Sequence, residues 1–134
     1  MNADEVEFLQ GGSYLSFSTL KKSGDLVATP VWFAPGAATE EAGTYYLFSA
    51  KNAGKVKRLR NYSRSRVAAC TVRGTLTGAW LDAESELLAS DADNKIALDA
   101  LHRKYGWQMK LTDLMSKISG KFDQRSYIRV RLKS

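Results

Sequence analysis

Between Lys51 and Arg73 the chain carries eight lysines and arginines (positions 51, 55, 57, 58, 60, 64, 66 and 73) and no acid. Inside that stretch, residues 48–61 read Phe-Ser-Ala-Lys-Asn-Ala-Gly-Lys-Val-Lys-Arg-Leu-Arg-Asn. An apolar, strand-like segment passes through a small polar turn into a short helix with cations in its first turn. The unpaired N–H groups of a helix start favour negative charge, and Lys55, Lys57 and Arg58 can close over a phosphate as charged donors. The same pattern also fits a solvated basic face or a nucleic-acid patch. A local field this positive attracts phosphate, polycarboxylate or nucleic acid without choosing among them.

Other reactive constellations are missing. His102 is the single histidine, lies in a charged helical run (Leu101-His102-Arg103-Lys104), and reads as a surface residue. Without a His/Cys cluster at zinc spacing there is no sequence case for a metal site. Gly-x-Ser-x-Gly, a Walker loop and Gly-x-Gly-x-x-Gly are all absent. Cys70 follows Val67-Ala68-Ala69 and reads as a packing thiol. An enzyme built from this chain would leave its hard chemistry to a bound cofactor.

The elements that must position the basic stretch follow from patterning. A length of 134 residues, 44% hydrophobic and 25% charged, fits one soluble domain, 1–134, with its own core. One cysteine excludes an internal disulfide framework. The acidic start of the chain does not resemble a signal peptide, and no apolar run approaches the ~20 residues of a membrane helix. These features predict a cytoplasmic protein without a membrane segment. Leu15, Phe17 and Thr19 alternate with serines as a strand, Lys22-Ser23-Gly24-Asp25 reads as a hairpin turn, and a second strand spans 26–33. Pro30 cannot donate to a ladder, so that strand is expected at an edge, at a bulge, or open to a ligand. Further strands are predicted over 44–48, 66–71, 76–89 and 127–132. A short helix over 53–62 carries Val56, Leu59 and Tyr62 on one face, and Ser90 caps a helical pair interrupted by Gly106. The expected fold is mainly β with helices (α+β). It is a split β-barrel of about six antiparallel strands, with one short helix after strand 3 and a helical pair before the last strand.

Four blocks then carry a resemblance. Thr29-Pro30-Val31-Trp32, Gly54-Lys55-Val56-Lys57-Arg58-Leu59-Arg60, Cys70-Thr71-Val72-Arg73-Gly74 and Arg103-Lys104-Tyr105-Gly106 occur in this order. Together they resemble the pyridoxamine 5'-phosphate oxidase-like FMN-binding split barrels, and within them the small branch assigned to deazaflavin (F420) dependence. The likeness covers roughly residues 13–132. It implies a homodimer with flavin or deazaflavin held in clefts between subunits. It also implies that Thr29, Pro30, Val31 and Trp32 lie along the ring, Ser49 and Ala50 near the ribityl chain, and Lys55, Lys57 and Arg58 at the phosphate. Arg73 is open between ligand and turn residue, and Trp32 between ring contact and core aromatic.

This chain departs from the vitamin-B6 oxidases in two ways. Gly54-Lys55 replaces the phosphate-binding Arg-Lys pair, and the C-terminal Trp/Arg motif that serves the B6 substrate has no counterpart. True pyridoxamine-phosphate oxidation is therefore not expected. The resemblance implies an oxidoreductase moving hydride to or from a small organic substrate, with a non-catalytic flavin- or haem-binding protein as the alternative. FMN is the expected cofactor and F420 its alternative. Eleven lysines against nine arginines lack the arginine-heavy usage of high-GC bacteria, where F420 is common. No specific nucleic-acid partner is expected, because basic and aromatic residues do not interleave on one strand face.

Overall fold

The computed structural model describes residues 9, 11–36, 43–121 and 124–133. Seven strands are described: β1 (Tyr14–Leu20), β2 (Leu26–Val31), β3 (Ala34–Pro35), β4 (Thr44–Ala50), β5 (Arg64–Cys70), β6 (Leu81–Leu87) and β7 (Arg125–Leu132). Three helices join them: α1 (Gly54–Asn61), α2 (Asp91–Tyr105) and α3 (Trp107–Ile118). All strand pairs are antiparallel, in the order β2-β1-β5-β6-β7-β4-β3, and the sheet curls into a split barrel. The split-barrel expectation is met.

Alternation sorts the side chains onto two faces. Leu15, Phe17, Tyr45, Leu47, Val67, Ile128 and Val130 point into the curl, where Phe33 and Leu59 join them in one core. Tyr46 and Tyr127 point outward and are covered by Ala97, Ala100, Leu101, Tyr105 and Met109 from α2 and α3. The interior turns polar towards the end that α1 covers. Thr19 pairs across the sheet with Ser65, all three of Thr19, Ser65 and Ser85 are buried, and the hydroxyls of Ser65 and Ser85 lie 2.6 Å apart.

Local differences from the sequence expectation have physical causes. The second strand stops at Val31 rather than Phe33, because the Phe33 N–H donates to the Tyr105 hydroxyl at 2.9 Å and leaves the sheet. The long strand expected over 76–89 is confined to Leu81–Leu87. Leu76 makes only an isolated bridge to Cys70, and Gly78 interrupts the run between. β4 and β7 extend to Ala50 and Arg125, which pair with each other, and two-residue β3 was too short to leave a sequence signal. The hairpin turn has Gly24 at φ 91, and Ser90 Oγ accepts from the Asp93 N–H at 3.1 Å as a helix cap.

Candidate functional site

β4 ends in a turn that delivers the basic helix. The Ala53 N–H donates to Ala50 O at 3.0 Å, and α1 starts at Gly54. Ala53 supplies no side-chain cap and the first turn holds no acid, so the helix start keeps its positive end uncompensated by side chains. Val56 and Leu59 are buried against the barrel. Arg58 folds back over the helix start and donates from Nε to the buried Thr19 hydroxyl at 2.5 Å. Gly54 leaves room for this fold-back, since a Cβ there would lie 2.8 Å from Arg58 Nη1 and the guanidinium would have to shift. Lys55 is half-buried beside it. Burial, and then the adjacent Arg58 charge, push its ammonium pKa below the usual lysine value. No salt bridge to Lys55 or Arg58 occurs among the described residues. Two neighbouring cations without a counter-ion are what an incoming phosphate would neutralise. Lys57 is exposed, and two positions from Lys55 puts it on a different side of the helix. Lys55 and Arg58 therefore come together, whereas Lys57 stands apart.

β2 is an edge strand, pairing only with β1, as Pro30 led us to expect. Thr29 lies opposite Phe17, on the interior face, and its hydroxyl is buried without a hydrogen-bond partner. Pro30 and Ala28 are exposed on the other face. Thr19, which anchors Arg58, pairs with Val27. Pro30 is three residues further on, roughly 10 Å along the strand, and its side chain lies on the opposite sheet face. Gly74 (φ 89) brings its turn against the Pro30 ring, 3.7 Å from a Cβ position at Gly74. Exposed Arg73 thereby belongs to a turn that meets the C-terminal end of β2. Ser49 is buried at the end of β4 opposite Ser126, and Ala50 is exposed.

Trp32 is half-buried and stacks on Tyr105, with ring centroids 4.4 Å apart and planes 10° apart. One face of Trp32 is thus committed within the chain. Val31 packs against the barrel core. Cys70 is buried and burial raises its thiol pKa, in keeping with a packing role.

His102 stays partly exposed at the surface, but its ring is engaged within the chain. Its Nε2 lies 2.6 Å from Asp113 Oδ2, while Asp113 Oδ1 accepts from Arg125 Nη1 at 2.7 Å and Ser116 Oγ from Arg125 Nη2 at 2.9 Å. This network pins α2, α3 and β7 together. Sequence spacing could not reveal it, because its members are brought together only by the packing of three elements. Beside its Arg125, a cleft of about 560 Å³ opens between the start of β7 and α2, lined also by Lys51, Leu88, Asn94 and Tyr127. Among the described residues no group of His, Cys, Asp and Glu could hold a metal ion, and no helix is long and apolar enough to cross a membrane.

No model of a protein family matches this chain, and no curated protein sequence does. Solved structures do match in fold. The haem-storage protein HutZ from Vibrio cholerae superposes with a TM-score of 0.67 at 12% identity, over 96% of this chain and 87% of HutZ. A candidate pyridoxamine 5'-phosphate oxidase from Listeria innocua gives 0.61 at 11% identity, over 96% and 90%. An FAD-binding protein from Mesorhizobium loti gives 0.58 at 17% identity, over 100% and 91%. At these identities the likeness extends to the fold.

Proposed function

We propose that the chain, as a single domain spanning 1–134, is a flavin- or deazaflavin-dependent oxidoreductase, with FMN as the cofactor and F420 as its alternative. The observation that carries this reading is the half-buried Lys55 beside Arg58 at an uncapped helix start, with no salt-bridge partner among the described residues. In this reading Lys55 and Arg58 hold the phosphate, with Lys57 at the outer rim. Ser49 and Ala50 flank the ribityl chain, Thr29, Pro30, Val31 and Trp32 line the ring, and Arg73 reaches it from the turn beside Pro30.

The bound ring supplies hydride transfer, to or from a small organic substrate. The side chains bind and orient the ring and exclude water, and none has to act as acid or base. The half-buried Trp32, stacked on Tyr105, provides flat apolar cover. Vitamin-B6 phosphate oxidation is not proposed, because the C-terminal Trp/Arg motif is missing. We place the protein in the cytoplasm as a homodimer, with the cofactor cleft completed by the second copy. Exposed apolar side chains on α3 supply surface for self-association.

A non-catalytic flavin- or haem-binding protein is the second reading, favoured by the fold likeness to haem-storing HutZ. Against haem, the Nε2 of the single histidine is engaged with Asp113. The test is the absorbance spectrum of purified protein, followed by separate titrations with FMN, F420 and haem. Saturable binding of FMN or F420 supports the oxidoreductase reading, and binding of haem alone overturns it. Affinity should fall less than about tenfold between about 50 and 200 mM salt, since one partly buried phosphate is screened weakly, whereas a polyanion grip would collapse by orders of magnitude.

A further inference from the structure

One buried charge has no role in the site described so far. Lys104, near the end of α2, has its Nζ buried with no hydrogen-bond partner. The ammonium sits over the Phe33 ring, 3.4 Å from its centroid, and 5.4 Å from that of Tyr105. Phe33 is held edge-on by Tyr45 at 5.6 Å between centroids. The next residue, Tyr105, ties the same segment by its backbone. Its hydroxyl accepts from the Phe33 N–H and can donate to Phe33 O or Ser13 O, all within 2.8–2.9 Å, while its ring stacks on Trp32. Residues 104 and 105 therefore grip Trp32-Phe33, the stretch where the chain leaves β2.

An unpartnered ammonium in this position costs the fold stability, and a methionine would fill the space without that cost. Contact with an aromatic face recovers part of the loss, and does so only while the amine is charged. We propose that Lys104 is a positioning residue: its ammonium, seated on Phe33, fixes the Trp32-Phe33 segment and with it the ring-facing end of β2. The link to the ring rests on the function proposed above, whereas the fixing of Trp32 does not. Burial lowers the Lys104 pKa to about 8. The ionisable groups around this point are phenols: Tyr45 on β4, raised by burial to about 12, Tyr105, raised further still, and Tyr14 on β1 beside Tyr105. No carboxylate pairs with Lys104 among the described residues. On α2 the neighbouring His102 is turned to Asp113, and Arg103 is exposed.

The test uses the full chain with Trp80 and Trp107 replaced by Phe, so that emission reports Trp32 alone. Trp32 fluorescence of the cofactor-free protein should titrate with a midpoint near 8, and Lys104→Met should abolish that transition. Thermal unfolding gives a second readout. The folded-state pKa lies below the ordinary 10.5, so the wild type should gain stability as pH rises from about 8 towards 10.5. Lys104→Met should lack this gain and melt about 4 °C or more higher at pH 7. Titration with FMN and with F420 completes it: Lys104→Met should bind roughly fivefold or more weakly at pH 7 despite its greater stability. Flat Trp32 emission in the wild type, an unchanged transition in Lys104→Met, or equal cofactor affinity in both proteins overturns the proposal. Failure of the wild type to bind either cofactor overturns the proposed function instead, and the Trp32 titration still decides the role of Lys104.

Discussion

α1 and α3 are both amphipathic, and they face opposite ways. α1 buries Val56 and Leu59 against the barrel and leaves Lys57 and Arg60 exposed, with Lys55 and Arg58 half-buried. α3 buries Met109 and Asp113 and leaves Trp107, Leu111, Leu114, Met115 and Ile118 between 48% and 79% exposed. The difference lies beneath the helices. α1 sends Leu59 into the barrel core, whereas α3 rests on an ion network in which Asp113 binds both His102 and Arg125. A hydrophobic stripe records that one face should leave water, not which surface covers it. In α1 the same chain does so. In α3 it does not, and the stripe lies among Lys110, Lys117 and Lys121 as a contiguous apolar surface of the kind that marks interaction sites.

The largest expected effect breaks the polar support of α3. Asp113→Ala removes the carboxylate shared by His102 and Arg125 and should cost about 3–5 kcal/mol in urea unfolding. Next comes the apolar support of α1. Leu59→Ala opens space under the helix and should cost about 2–4 kcal/mol by the same measurement. The smallest effect is on the exposed stripe. Leu114→Ser should change the stability of the isolated chain by less than about 0.5 kcal/mol, while sedimentation should register weaker self-association. A loss as large as that of Leu59→Ala would mean that the stripe is covered within the chain.

The same contrast explains what the sequence could reveal. Elements whose pattern is local were legible: the alternation of β1, the turn at Gly24, the cap at Ser90, the break at Gly106 and the cationic start of α1. Pro30 correctly marked an edge, because its missing N–H cannot serve a ladder with two neighbours. Relationships between elements distant in sequence were not legible. Tyr45, Tyr46 and Leu47 are consecutive apolar residues that must point to opposite faces, yet all three are fully buried, by the barrel interior on one side and α2 and α3 on the other. Uncovered apolar area lies instead on α3. The grip of Lys104 and Tyr105 on Phe33 joins residues more than 70 positions apart, which no local spacing records. Lys55 and Lys57 looked equivalent in sequence and are separated only by helical geometry.

That separation gives the most direct test of the proposed site. FMN and F420 should be titrated into the wild type, Lys55→Ala and Lys57→Ala at fixed ionic strength. A charge-assisted bond to phosphate contributes about 1.5–3 kcal/mol, so Lys55→Ala should weaken binding by about tenfold or more. Exposed Lys57, lying off that face, should matter less than about threefold. Equal losses in the two variants, or undiminished affinity in Lys55→Ala, would contradict a phosphate held by Lys55 and Arg58 at the start of α1.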